Sequence, residues 1–155
     1  MQVPAHDHAH CTADLLARAE TNCAAQGARL TGQRREVLAC VARSHQAGGA
    51  YEVIERMAEQ GARPAPITVY RALEFLTVHG LIHRIESRNA FVACLHSHHG
   101  RAAALLVCDG CGTVAELDAG EPLRQIEQAA AAVGFCPRRV MIELSGTCAV
   151  CAEGR

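Results

Sequence analysis

Two Cys-x-x-Cys pairs, Cys108-Asp109-Gly110-Cys111 and Cys148-Ala149-Val150-Cys151, constrain this chain more than any other feature. Each pair presents two thiolates on a short loop. Two such loops complete a tetrahedral sulfur shell, which Zn²⁺ fills without demands from d-electrons. Gly110 and Gly112 are expected to relieve the tight first loop, and Gly146 to do the same before the second. The pairs bracket the segment between them, so a metal held by all four ties its ends together. A redox dithiol pair and ordinary buried cysteines are the competing readings. The chain has nine cysteines, an odd number, and its start lacks a signal peptide's charged-then-apolar pattern. Spaced cysteines in a reducing cytoplasm favour the metal. A shell closed by four sulfurs has no open position, so the site is structural rather than catalytic.

The segment in front of the pairs reads as helices followed by a hairpin. A helix is expected over Thr12 to Gly27, with Thr12 as cap and Leu15, Leu16, Ala19 and Cys23 on one stripe. Thr31 caps a second, with Val37, Leu38 and Val41 on one face. A third runs from Tyr51 to Gln60 with Val53, Ile54 and Met57 inward, and Gly61 stops it. A fourth follows Pro66, carries Val69, Leu73 and Leu76 on one stripe, and stops at Gly80. Leu81 to Glu86 and Phe91 to Leu95 then read as strands around Ser87-Arg88-Asn89. This order predicts a winged helix-turn-helix over residues 1–94, and the His-rich, Gly100-containing segment 95–101 reads as a hinge. In residues 102–155, strands over Ala104 to Cys108, Thr113 to Asp118 and Val140 to Leu144 surround a helix over Glu121 to Val133. The fold class is therefore α+β, a winged helix followed by a small α/β domain. Half of the chain is hydrophobic but only five residues are aromatic, so the core must be aliphatic. The second domain is small enough to need a metal, a partner, or both.

The net charge of −1 speaks against nucleic acid only as a sum. From Arg29 to Arg43 there are four arginines (Arg29, Arg34, Arg35 and Arg43) against Glu36 alone, whereas Leu95 to Arg155 carries five arginines and seven acids. A basic front and an acidic back fit one DNA-facing module and one with another job; an ordinary surface cluster is the alternative. The first turn of a recognition helix faces the major groove. Arg71, in Thr68-Val69-Tyr70-Arg71-Ala72-Leu73, could there make two hydrogen bonds to guanine O6 and N7. Thr68 caps that helix or contacts phosphate. A solvent-exposed arginine on a core helix remains the bland alternative.

Leu30-Thr31-Gly32-Gln33-Arg34-Arg35-Glu36-Val37-Leu38, the Thr68 to Leu73 run and the two cysteine pairs together resemble the ferric uptake regulator family over nearly the full length. The resemblance implies a winged-helix domain hinged to an α/β dimerisation domain, and homodimers that bind palindromic operators when metal-loaded. One dimer or a pair of dimers would occupy each operator. It also implies that Arg71 and Tyr51 read the operator, with Tyr70 nearby.

The candidate sensing groups are His83, Cys94, His96, His98, His99 and Glu116. His83 and Cys94 fall on the two wing strands, the histidines in the hinge, and Glu116 in the α/β domain. A metal bound by such a set would fix the angle between DNA-binding heads. One thiolate with imidazoles and a carboxylate suits Zn²⁺, whereas iron or manganese would favour nitrogen and oxygen donors alone. The resemblance to the family's zinc-uptake branch implies the set His83, Cys94, a hinge histidine and Glu116, in a repressor of zinc-uptake genes. The sequence departs from the branch at Arg101, where a histidine would align, so His99 is taken as the third ligand. A solvated hinge is the competing reading. Lone Cys23, Cys40 and Cys136 are expected to be buried, and His6, His8, His10 and Cys11 to lie in a disordered tail. The rival readings are a family regulator that senses iron, manganese or peroxide, an enzyme, and a metal-storage or protein-interaction module. No nucleophile with a base and an orienting group is visible and the four-cysteine site is closed, so an enzyme is not expected. No apolar run is long enough to cross a bilayer, and the expected location is the cytoplasm.

Overall fold

The computed structural model describes residues 8–44, 46–94, 103–138 and 140–153. They divide into two units, one ending near Leu95 and the other beginning beyond it.

The first unit contains helices α1 (His8–Ala25), α2 (Gly32–Ala42), α3 (Ala50–Glu59) and α4 (Pro66–Val78), and strands β1 (Gly48–Gly49), β2 (Ile82–Ile85) and β3 (Ala90–Ala93). Helix α1 starts before Thr12, so Thr12 is an interior residue and not the expected cap. Thr31 does cap α2: its hydroxyl accepts the Arg34 N–H at 3.4 Å. Pro66 opens α4, where its missing N–H costs nothing. Gly61 and Gly80 follow α3 and α4 with φ of +86° and +67°, backbone that a Cβ would strain. The wing turn is a short 3₁₀ segment, Glu86–Arg88, closed by Asn89 in the left-handed region. The two-residue β1 adds a third strand on the far side of β3, pairing Gly48 with Phe91. Two glycines carry no hydrophobic alternation, so nothing in the pattern announces that strand.

The core of this unit is aliphatic, as the composition demands. Val37, Leu38, Val53, Val69, Leu73 and Leu76 are at most 1% exposed. The helical stripes read from spacing 3 and 4 therefore converge on one centre.

The second unit contains β4 (Ala103–Cys108), β5 (Val114–Asp118), α5 (Gly120–Ala132), β6 (Ile142–Gly146) and α6 (Ala149–Glu153). The sheet order is β5-β4-β6, antiparallel on one side of β4 and parallel on the other. Strand β6 begins two residues later than the expected Val140 and includes Gly146, which is thus a strand end and not a loop hinge. Ala104, Ala119 and Leu123 form one buried cluster, with Val140 and Ile142 partly buried against them, and Leu105, Val107 and Val114 of the sheet are buried as well. Ile126, Val133, Phe135 and Leu144 stay exposed on the single chain. Cys136 is exposed too, against expectation, because it lies beyond the end of α5 and outside the sheet's cover. Among the described residues no helix is long and apolar enough to cross a membrane.

Candidate metal centre and nucleic-acid interface

Parallel pairing of β4 with β6 brings the two cysteine pairs together. Cys108 ends β4 opposite Gly146, the last residue of β6, so the chain leaving β6 passes beside Cys108. The Asp109 N–H closes this junction on the Gly146 carbonyl at 2.7 Å. The first pair lies on a tight turn, with Gly112 N–H on the Cys108 carbonyl at 2.9 Å and Gly112 at φ +71°. The second pair is not a loop. Cys148 precedes α6 and Cys151 lies within it, with Ala152 N–H on the Cys148 carbonyl at 2.9 Å.

All four sulfurs lie within 4.8 Å of one another, and Cys111 Sγ is 3.8 Å from Cys148 Sγ. A tetrahedral zinc with legs of about 2.3 Å has sulfur–sulfur edges of about 3.8 Å, so the donor set fits that ion. The thiols do not share charge evenly. Backbone N–H groups hold Cys108 down at about 6, that of Cys148 first, at 3.3 Å, and then that of Cys111. Cys151 is pushed up to about 12 by hydrogen bonds with its neighbours, Cys148 first and then Cys111 and Cys108. A full shell of thiolates at this spacing therefore requires a cation in its midst.

Gly110 serves this cluster differently from Gly112. A Cβ at Gly110 would sit 3.0 Å from Cys151 Sγ and 3.1 Å from its Cβ. Gly110→Ala should push Cys151 off its position. It should release zinc at a lower chelator concentration and cost about 1–3 kcal/mol of stability, as overpacking does. A chelator titration matching the wild-type curve would show that the turn can yield.

In the first unit, β2 and β3 place His83 opposite Val92, and Cys94 follows two residues on. The Cys94 N–H extends the ladder to the Leu81 carbonyl at 3.1 Å. The two side chains are thus diagonal neighbours on one face. Their donor atoms lie within 4.8 Å of each other, with Cys94 buried and His83 half-buried. Glu116 lies in the second unit, on β5 opposite Leu105, half-buried. His96, His98 and His99 lie outside the described residues.

Helices α3 and α4 form the helix-turn-helix. Tyr51, the second residue of α3, is 72% exposed, and its ring meets the Tyr70 ring edge-on at 6.5 Å between centroids. Partial desolvation and then the Tyr51 hydroxyl raise the Tyr70 phenol above its ordinary value. Arg71 is exposed beside it. Thr68 is the third residue of α4, half-buried and not its cap; Ala65 holds that position.

The basic front is partly spent within the unit. The Arg34 guanidinium lies 3.5 Å from the centre of the Phe75 ring and donates to the Arg29 carbonyl at 2.6 Å. Arg35 pairs with Glu20 of α1. These two arginines fasten α2 to its neighbours, a use that charge counting cannot distinguish from facing DNA.

A winged helix with an exposed aromatic and arginine face, in one chain with a four-thiol metal centre, defines a metal-dependent DNA-binding regulator as a class. Residues 25–145 match the model of the ferric uptake regulator family. The zinc uptake regulation protein of Escherichia coli (strain K12) is 40% identical over 144 residues, which are 92% of this chain and 84% of that protein. A zinc uptake regulator solved in complex with zinc and DNA is 39% identical, with a TM-score of 0.86, over 92% of this chain and 96% of that one. The holo form of XcZur is 38% identical, with a TM-score of 0.83, over 90% and 98% of the two chains. The chain belongs to the ferric uptake regulator family.

Proposed function

We propose that this protein is a zinc-responsive transcriptional repressor that binds palindromic operators as a homodimer and controls zinc-uptake genes. The observation that carries the reading is its likeness, over nine-tenths of the chain, to a regulator solved with both zinc and DNA. The donor chemistry agrees. Cys108, Cys111, Cys148 and Cys151 would hold a structural zinc. His83, Cys94, His99 and Glu116 would hold the sensed one, a thiolate-bearing set that suits zinc better than iron or manganese. Zinc supplies a redox-inert tetrahedral centre at both places. Residues 1–94 would form the DNA-binding domain, 95–101 the hinge and 102–155 the dimerisation domain, its exposed Ile126, Val133, Phe135 and Leu144 covered by a second copy. On DNA, Arg71 would donate twice to a guanine, while Tyr51, Tyr70 and Thr68 meet neighbouring bases or phosphate. Such a protein works where the chromosome is, in the cytoplasm, and it is not an enzyme.

The test is duplex binding measured in parallel with zinc, iron, manganese and a chelator. Zinc alone is expected to support tight binding to a palindromic duplex selected from a randomised pool. Equal binding with iron or manganese would make this a sensor of another metal. No selected duplex under any condition would leave a metal-storage or protein-interaction module.

A further inference from the structure

The recognition helix carries an apolar side chain that the core does not use. Ile67, the second residue of α4, is 59% exposed. The buried stripe of that helix is Val69, Ala72, Leu73 and Leu76, each at most 3% exposed, and Ile67 lies off it. Its neighbours by helical spacing are Tyr70 at i+3 and Arg71 at i+4, both exposed. The three side chains form one continuous outward face on the first turns of α4. An isoleucine here adds nothing to the core and cannot hydrogen-bond.

Among groups lining the major groove, only one is apolar. The recognition groups there are hydrogen-bond donors or acceptors, except for the C5-methyl that thymine presents beside its O4 acceptor. We infer that Ile67 is a specificity-determining residue that reads a thymine methyl in the operator, an assignment that rests on the repressor function proposed above. A cytosine at the same place carries only a hydrogen at C5, so the isoleucine loses its methyl contact. Four residues of helix rise about 6 Å, and base pairs are stacked about 3.4 Å apart. The thymine therefore lies within two base pairs of the guanine that Arg71 contacts.

The experiment uses the full-length, zinc-loaded protein and the palindromic duplex it selects from a randomised pool. Each thymine is replaced in turn by deoxyuridine, symmetrically in both half-sites. That removes one methyl and leaves every hydrogen-bonding group in place. Wild type should lose about fourfold in affinity per methyl contact at one thymine position, the ratio for burying one methyl-sized group at about 0.8 kcal/mol. Ile67→Ser should bind more weakly overall and show no further loss at that thymine. Its other deoxyuridine responses should match wild type. Because Ile67 is exposed, the variant should melt as wild type does, and that melt separates misfolding from lost contact. If Ile67→Ser keeps the wild-type response at every thymine, or wild type responds at none, the assignment is overturned while the repressor reading stands. Failure of wild type to select any duplex overturns the repressor reading and the assignment with it.

Discussion

Cys148→Ser is expected to release the structural zinc and unfold the C-terminal half of the chain. Cys148 contributes twice at the cluster. Its sulfur stands 3.8 Å from that of Cys111, and its backbone N–H points at Cys108 Sγ from 3.3 Å. The surrounding unit is small, and among its described residues the buried aliphatic side chains are Ala104, Leu105, Val107, Val114, Ala119 and Leu123. Binding of a structural zinc is worth about 10–16 kcal/mol at neutral pH in peptides that fold around the metal. That exceeds the whole stability of many domains, so the loss should not be local. The first unit has its own aliphatic core and should stay folded, so the melt should split into two transitions. The proposed dimer should dissociate. The measurements are zinc content after mild chelation, calorimetry and sedimentation. A variant that keeps one tightly held zinc per chain and a single wild-type melt would show that Cys148 is not a ligand.

The parts of this fold visible in the sequence are those set by short-range periodicity or fixed spacing. Val69, Leu73 and Leu76 announce one helical face by themselves, and each proves fully buried. The cysteine pairs announce a sulfur cluster, and the sulfurs do gather. What remained hidden depends on pairing between distant segments. Strand β1 exists only because Gly48 and Gly49 lie against Phe91 and Ala90. The helical setting of Cys151 follows from where β6 ends, and β6 is placed by its parallel pairing with β4. Arg34 reads as surface charge until Phe75 is found beneath it. Cys136 reads as a small hydrophobe, yet α5 ends before it and leaves it open. In the proposed sensing set the same division holds. Hairpin register explains the closeness of His83 and Cys94, whereas the choice of His99 rests on the sequence and the resemblance alone.

Cys94→Ser should leave a folded protein that no longer binds its operator in response to zinc. Serine is close to cysteine in size, and the position ends a hairpin whose backbone bond to Leu81 does not involve the side chain. The four-cysteine zinc should therefore be spared, and the stability of both units nearly so. What changes is the donor: a soft thiolate becomes a neutral hydroxyl, a poor zinc ligand. The loss of affinity at the sensing site should exceed the ~10–100-fold that removal of even an outer-shell partner costs. In this scheme the ligands hold zinc better when the DNA-binding heads are arranged for the operator, since a ligand shifts an equilibrium only through differential affinity. Linkage then requires operator DNA to tighten zinc binding by the factor by which zinc tightens DNA binding. In the variant both factors should fall towards one together. Zinc titration of wild type and variant, read by operator binding in one arm and zinc affinity with and without duplex in the other, measures both factors independently. Zinc-dependent operator binding by Cys94→Ser at the wild-type zinc concentration would remove Cys94 from the sensing site. The argument for zinc over iron that rests on its sulfur would then fall as well.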